Sequence, residues 1–177
     1  MRPSRGRRAT ALLALALVLS IASTAGCRIG DLQFKNDHRL SFETPKARQR
    51  VEAPVTITWS MKDFDVVGLD GSTDSGRGVF ALFVDRAPMP IGNDLHWISR
   101  GDEGCKRDPR CPDVRYLADR GVHVTTTTSA TLNVLPRADD GVGDEQHYVT
   151  VVLLDGTGHR IGESAWYLPF TSKRRSS

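Results

Sequence analysis

Long apolar runs are the first thing this sequence lacks. The longest, ALLALALVLSIA at residues 11–22, has 12 residues, whereas a helix that crosses a bilayer needs roughly 20. A sustained helical period is missing as well, which argues against a helical bundle. Cysteine is scarce, with three in 177 residues, so a four-thiolate zinc site cannot be built. The five histidines, His38, His96, His123, His147 and His159, are scattered, and none sits close in sequence to a cysteine pair as a zinc ligand would. No G-x-S-x-G elbow occurs; GESAW at 162–166 lacks the second glycine. No metal, cofactor or catalytic set is therefore expected.

What is present begins at the amino terminus. MRPSRGRR carries four arginines and no acid, and it precedes the apolar run and the small residues STAG. Basic, apolar and small-residue regions in that order make an export signal, and here they fill residues 1–26. The Arg7-Arg8 pair lacks a bulky apolar residue shortly after it, which favours the general secretory route over the twin-arginine one.

Thr24-Ala25-Gly26-Cys27 resembles the lipobox of bacterial lipoproteins. The resemblance implies cleavage between Gly26 and Cys27, a diacylglyceryl group on the Cys27 thiol and an acylated new amino terminus. Each buried methylene contributes about 0.8 kcal/mol of membrane affinity, and a single chain binds only marginally, so two or three chains make the anchor stable. An ordinary secretory cleavage site beside a cysteine is the alternative.

Charge looks different once residues 1–26 are set aside. The chain has 24 Lys+Arg against 21 Asp+Glu; without Arg2, Arg5, Arg7 and Arg8 the balance is 20 against 21, a net of −1. The basic character belongs to the signal, and it gives no argument for nucleic acid. Only the tail, residues 173–177, is locally basic.

Apart from Cys27, two cysteines remain, Cys105 and Cys111 in CKRDPRC. An even pair in an oxidising compartment reads as a disulfide, and closing so short a loop contributes about 2 kcal/mol on the chain-entropy model.

Residues 28–37 show no clear period and read as a lipidated tether with Cys27, placing a single domain at 38–172. There the period is two. VTITWSM at 55–61 alternates, with Val55, Ile57, Trp59 and Met61 on one face. GVFALFVD at 78–85 and HYVTVVLLD at 147–155 are apolar on both faces and read as central strands. DGTG then turns the chain into a returning strand over 160–170. Further strands are expected at 38–42, 122–128 and 131–135. One short helix is expected in CPDVRYLADRG, entered at Pro112 and left at Gly121. Short strands with Gly, Pro and Asp turns predict an all-β antiparallel sandwich.

SFETPKARQRVEAPVTITWSM, GVFALFVD and HYVTVVLLDGTGHRIGESAW together resemble an immunoglobulin-like or fibronectin type III-like module over residues 38–172. The resemblance implies that Trp59 packs in the core between the sheets. An antibody-type cysteine pair is missing, and His147 stands near the place of a corner tyrosine.

The connection from Arg86 to Gly121 is 36 residues long, and connections beyond about 15 residues usually carry structure or function. It is the candidate recognition surface, with Arg86, Trp97 and Tyr116 as its residues. The bland alternative is that Trp97, Tyr116 and Leu117 only cap the sandwich. DFDVVGLDGSTD at 63–74 places Asp63, Asp65 and Gly68 at calcium-loop positions, but Val67 and Asp74 break that pattern and a solvated loop is expected. The paired acids Asp139-Asp140 and Asp144-Glu145 fit a turn.

Together these features describe an exported lipoprotein held on the cell membrane, facing the extracellular or periplasmic side. Its domain would be a non-catalytic binding module for an envelope protein or polymer. The alternatives are a structural accessory subunit of a membrane complex and, third, an envelope-polymer hydrolase.

Overall fold

The computed structural model describes residues 37–136 and 144–173. The signal and nearly all of the tether, including Gly26 and Cys27, lie outside the described residues, as do Asp139-Asp140 and residues 174–177. Among the described residues no helix is long and apolar enough to cross a membrane.

Among the described residues nine strands follow one another: β1 (Leu40–Thr44), β2 (Arg50–Val51), β3 (Val55–Met61), β4 (Asp65–Val66), β5 (Arg77–Val84), β6 (Val122–Thr125), β7 (Ser129–Leu132), β8 (Glu145–Leu154) and β9 (Trp166–Ser172). The protein is mostly β, in two sheets. The smaller has the order β1-β3-β7 and is antiparallel throughout. The larger runs β2-β9-β8-β5, with β4 and β6 sharing the far edge of β5. β8 pairs antiparallel with β5 and β9, while β2 joins β9 in parallel.

Side-chain period explains the layers. Val55, Ile57 and Trp59 of β3 are buried, whereas Thr56 and Ser60 face water, so the smaller sheet has one wet side. Its buried face meets Phe80, Leu82, Val149, Val151, Leu153, Leu168 and Phe170 from the larger sheet. Trp59 is 1 % exposed and meets Phe80 edge to face, with ring centroids 5.3 Å apart.

β5 and the later part of β8 are buried on both faces because the larger sheet is covered twice. Val79, Ala81, Phe83, Val152 and Leu154 point away from Trp59 and pack under Met89, Leu95, Ile98 and Leu117 of the long connection. A double-sided apolar run therefore marks the strands that lie beneath the insertion.

Several boundaries differ from the sequence reading. β9 starts at Trp166 rather than 160; only an isolated bridge joins Leu154 to Arg160. The Arg160 side chain donates to the carbonyls of Met89, Glu163 and Ser164, and Gly162 takes φ 60°, so this stretch is a loop knitted to its neighbours. The strand expected over 122–128 stops at Thr125. There Thr127 Oγ1 donates to the Ser129 carbonyl at 2.9 Å, and the chain turns from the larger sheet to the smaller.

Candidate binding surface

The insertion is built from three short helical turns, each started by an aspartate. Asp94 caps a 3-10 turn (Leu95–Ser99), Asp102 caps a helix (Glu103–Arg107) and Asp113 caps another (Val114–Ala118). In each case the carboxylate accepts backbone N–H groups that have no partner inside the helix. At the far end Gly121 takes φ 68°, and its carbonyl accepts the Val84 N–H at 2.8 Å, closing the two ends of the insertion. A Cβ at Gly121 would come within 2.9 Å of the Val84 carbonyl oxygen, so the close approach needs glycine.

Cys105 and Cys111 bracket the turn between the two helices. Their Cα atoms are 5.1 Å apart with the sulfur atoms in contact, a spacing that a disulfide can bridge. Cys105 is buried and Cys111 is half-buried.

Trp97 and Tyr116 are half-buried at the margin of the apolar layer. An arginine lies on each ring: the Arg100 guanidinium carbon is 3.6 Å from the Trp97 centroid and that of Arg120 is 3.5 Å from the Tyr116 centroid. Both distances fit cation–π stacking. Arg100 Nη1 donates to the Trp97 carbonyl, and Arg120 Nη2 donates to Asp102 at 3.1 Å. The Tyr116 hydroxyl donates to the same Asp102 oxygen at 3.0 Å. The backbone N–H of Cys105, with the Tyr116 hydroxyl, holds the Asp102 carboxyl below its usual range. Burial, and then the bond to Asp102, raises the Tyr116 phenol.

Arg86 joins this group from the base of the insertion. Its Nη1 donates to the Arg120 carbonyl at 2.7 Å. Burial lowers its proton affinity, and the nearby charges of Arg120 and Arg100 lower it further. Arg86 and Tyr116 thus meet through Arg120, whereas Trp97 and Arg100 pair with each other in a separate groove. Two open grooves flank the capped helix. One of about 590 Å³ is lined by Trp97, Arg100 and Lys106, and the other, of about 540 Å³, by Ile98, Asp102, Tyr116 and Arg120. Sequence reasoning singled out Arg86, Trp97 and Tyr116 and passed over Arg100 and Arg120. Each stacking arginine lies three or four residues beyond its aromatic, a helical spacing that was available as a signal.

A second cluster was not legible. His147, buried on β8, has Nδ1 2.6 Å from Asp85 Oδ2 and Nε2 2.9 Å from Ser172 Oγ. Asp85 also accepts the Tyr148 N–H at 2.8 Å, and it holds φ at 51° to do so. The connectivity is that of a serine triad. Ser172, however, is 7 % exposed and paired in the ladder with Val51 and Glu145, whereas a nucleophile needs room for the substrate carbonyl and donors for its oxyanion. Here the three side chains tie together the ends of β5, β8 and β9. His147 meets the Phe170 ring at 5.6 Å.

The acidic loop at 63–74 uses its carboxylates locally. Asp70 accepts the Ser72 N–H and pairs with Arg77, and Asp74 accepts the Gly76 N–H. Among the described residues no group of three or more His, Cys, Asp or Glu side chains is placed to hold a metal ion. Lys173, the described residue of the basic tail, pairs with Glu52 at 2.9 Å. Comparison with protein-family models, with curated proteins and with solved structures finds no match to this chain.

Proposed function

We propose that the chain is an exported lipoprotein, anchored through Cys27, whose β domain binds an envelope protein or polymer without catalysis. The observation that carries the address is Cys27 itself, placed directly after an apolar run that ends in Thr24-Ala25-Gly26. Anchoring confines the domain to a thin layer beside its partners, and the raised effective concentration compensates for modest affinity.

The domain is read as immunoglobulin-like. A three-stranded sheet facing a larger one, a buried tryptophan on β3, parallel pairing of β2 with β9 and a closing β8-β9 hairpin support that reading. The Cys105 to Cys111 disulfide is part of it, supported by the 5.1 Å Cα spacing. The recognition surface is the insertion, where Trp97 and Tyr116 lie beside open grooves instead of being wholly consumed by the core, and Arg86 holds the base of the insertion through the Arg120 carbonyl. Detergent-phase partitioning of membranes tests the anchor. The parent chain enters the detergent phase, and a Cys27→Ser variant moves to the aqueous phase; equal partitioning of the two refutes it.

A further inference from the structure

One groove, of about 590 Å³, takes its lining from two neighbouring pieces of the insertion. The 3-10 turn (Leu95–Ser99) and its flanks supply Asp94, His96, Trp97 and Arg100, and the turn bracketed by Cys105 and Cys111 supplies Lys106 and Asp108. Lys106 and Asp108 are matched within their own segment: Lys106 pairs with Glu103 at 2.6 Å and Asp108 with Arg110 at 3.5 Å. Asp94 and Arg100 are not. Among the described residues no lysine or arginine pairs with Asp94 and no carboxylate pairs with Arg100.

Both groups keep bonding capacity. Asp94 Oδ1 accepts the His96 N–H at 3.0 Å as the cap of the turn, while Oδ2 faces only ring nitrogens, of His96 at 3.4 Å and of His159 at 4.0 Å. The Arg100 guanidinium carbon stands 3.6 Å from the Trp97 ring centroid, and Nη1 donates to the Trp97 carbonyl. The remaining N–H groups of that fork stay available. The turn also sets the separation of the two charges. Asp94 precedes it and Arg100 follows it, so at about 2.0 Å of rise per residue their Cα atoms stand about 12 Å apart along its axis. Exposed charges that far apart are largely screened from each other. An extended peptide advances about 3.3–3.6 Å per residue, so three or four residues cover the same span.

We propose that this groove binds a short extended peptide segment carrying an amine at one end and a carboxylate at the other. The amine meets Asp94 Oδ2, the carboxylate meets the Arg100 fork, and the stretch between them lies along Trp97. This rests on the insertion being the recognition surface, and it adds the ligand class. A purely anionic ligand would be repelled at Asp94 and a purely cationic one at Arg100, whereas a ligand with both charges complements the two ends. The planar fork suits a carboxylate, which can accept from it twice. Trp97 acts as a positioning residue that fixes the plane of Arg100.

The test is isothermal titration of the full chain, purified from membranes in nonionic detergent. The probes are trialanine, its N-acetyl form, its C-terminal amide, and acetyl-Lys-Ala-Asp-amide, which carries both charges on side chains. The parent is expected to bind trialanine, which assigns the ligand to free peptide ends, or the side-chain probe, which assigns it to the interior of a protein segment. Asp94→Asn, which keeps the cap, weakens that binding about tenfold, and Arg100→Gln does the same. With trialanine, the loss from Asp94→Asn disappears when the amine is acetylated and the loss from Arg100→Gln disappears when the carboxylate is amidated, because each change removes the charge the residue would meet. Unchanged thermal midpoints show that the variants remain folded. The proposal is overturned if neither probe binds, if both variants bind as tightly as the parent, or if neutral dextran binds with the same dependence on Asp94 and Arg100. A chain that retains an isolated envelope protein or polymer but neither peptide probe defeats this inference and leaves the binding-module reading intact.

Discussion

Replacing Asp85 probes the tie that joins three strand ends. Its carboxylate accepts from His147 Nδ1 at 2.6 Å and from the Tyr148 N–H at 2.8 Å, and the His147 side chain is only 3 % exposed. Asp85→Ala leaves two donors without partners, at about 1–3 kcal/mol each. It also forces alanine to hold φ 51°, which costs about 1 kcal/mol more. The Asp85 side chain is 20 % exposed, so water reaches part of the gap, and the expected loss sits at the lower end, about 3 kcal/mol. Asp85→Asn tolerates the same backbone and can accept one of the two bonds. The histidine can then change tautomer and accept from the new amide, so the loss falls to about 1.5 kcal/mol. In a domain of this size those values lower the melting temperature by about 6–12 °C and about 3–6 °C. Urea and thermal unfolding followed by circular dichroism read both. The reasoning is refuted if Asp85→Ala stays within about 0.5 kcal/mol of the parent, as a surface substitution would.

Other perturbations have equally definite outcomes. Trp59→Ala empties a fully buried site and costs about 3–5 kcal/mol, whereas Trp59→Phe costs far less because it keeps most of the ring volume while giving up only a buried Nε1–H that has no partner; equal losses in urea melts would contradict this packing. Cys105→Ser with Cys111→Ser lowers stability by about 2 kcal/mol and exposes the turn between the helices to proteolysis, which mass mapping of the cleavage sites checks. The Arg39 guanidinium holds the Asp37 carboxyl below the usual carboxylate range, against a smaller upward push from burial and with help from Ser164. A depressed carboxylate contributes stability above its unfolded value, near 3.9, and that contribution is lost as pH falls toward its folded value. Asp37→Asn should therefore weaken the domain at neutral pH, and its stability curve should converge on the parent's in strong acid.

What could be read from sequence was whatever periodicity or local chemistry dictates. β3 falls on the expected residues because VTITWSM alternates without exception, and Trp59 lies in the core as expected. β5 and β8 stood out by being apolar on both faces, although that pattern did not say what covers the second face. Of the answer, a layer of short capped turns, the helix at Val114–Ala118 was legible through Pro112 and Gly121, whereas the turns at Leu95–Ser99 and Glu103–Arg107 were hidden because five-residue helices are too brief to show a period, leaving only Asp94 and Asp102 as signals. Asp85 and His147 are 62 residues apart, and His147 and Ser172 are 25 apart; strand register joins them, and no local rule foretells it. Gathering Arg86 with Arg120 likewise depended on Gly121 closing the insertion beside Val84.

The claim beneath all of this is that Cys27 becomes a lipidated amino terminus. Mass spectrometry of the amino-terminal peptide, taken from chain extracted out of membranes, tests it most directly. The account predicts a peptide that begins at Cys27 and carries a diacylglyceryl group on sulfur. A peptide that retains residues before Cys27, or that begins there with an unmodified thiol, contradicts it.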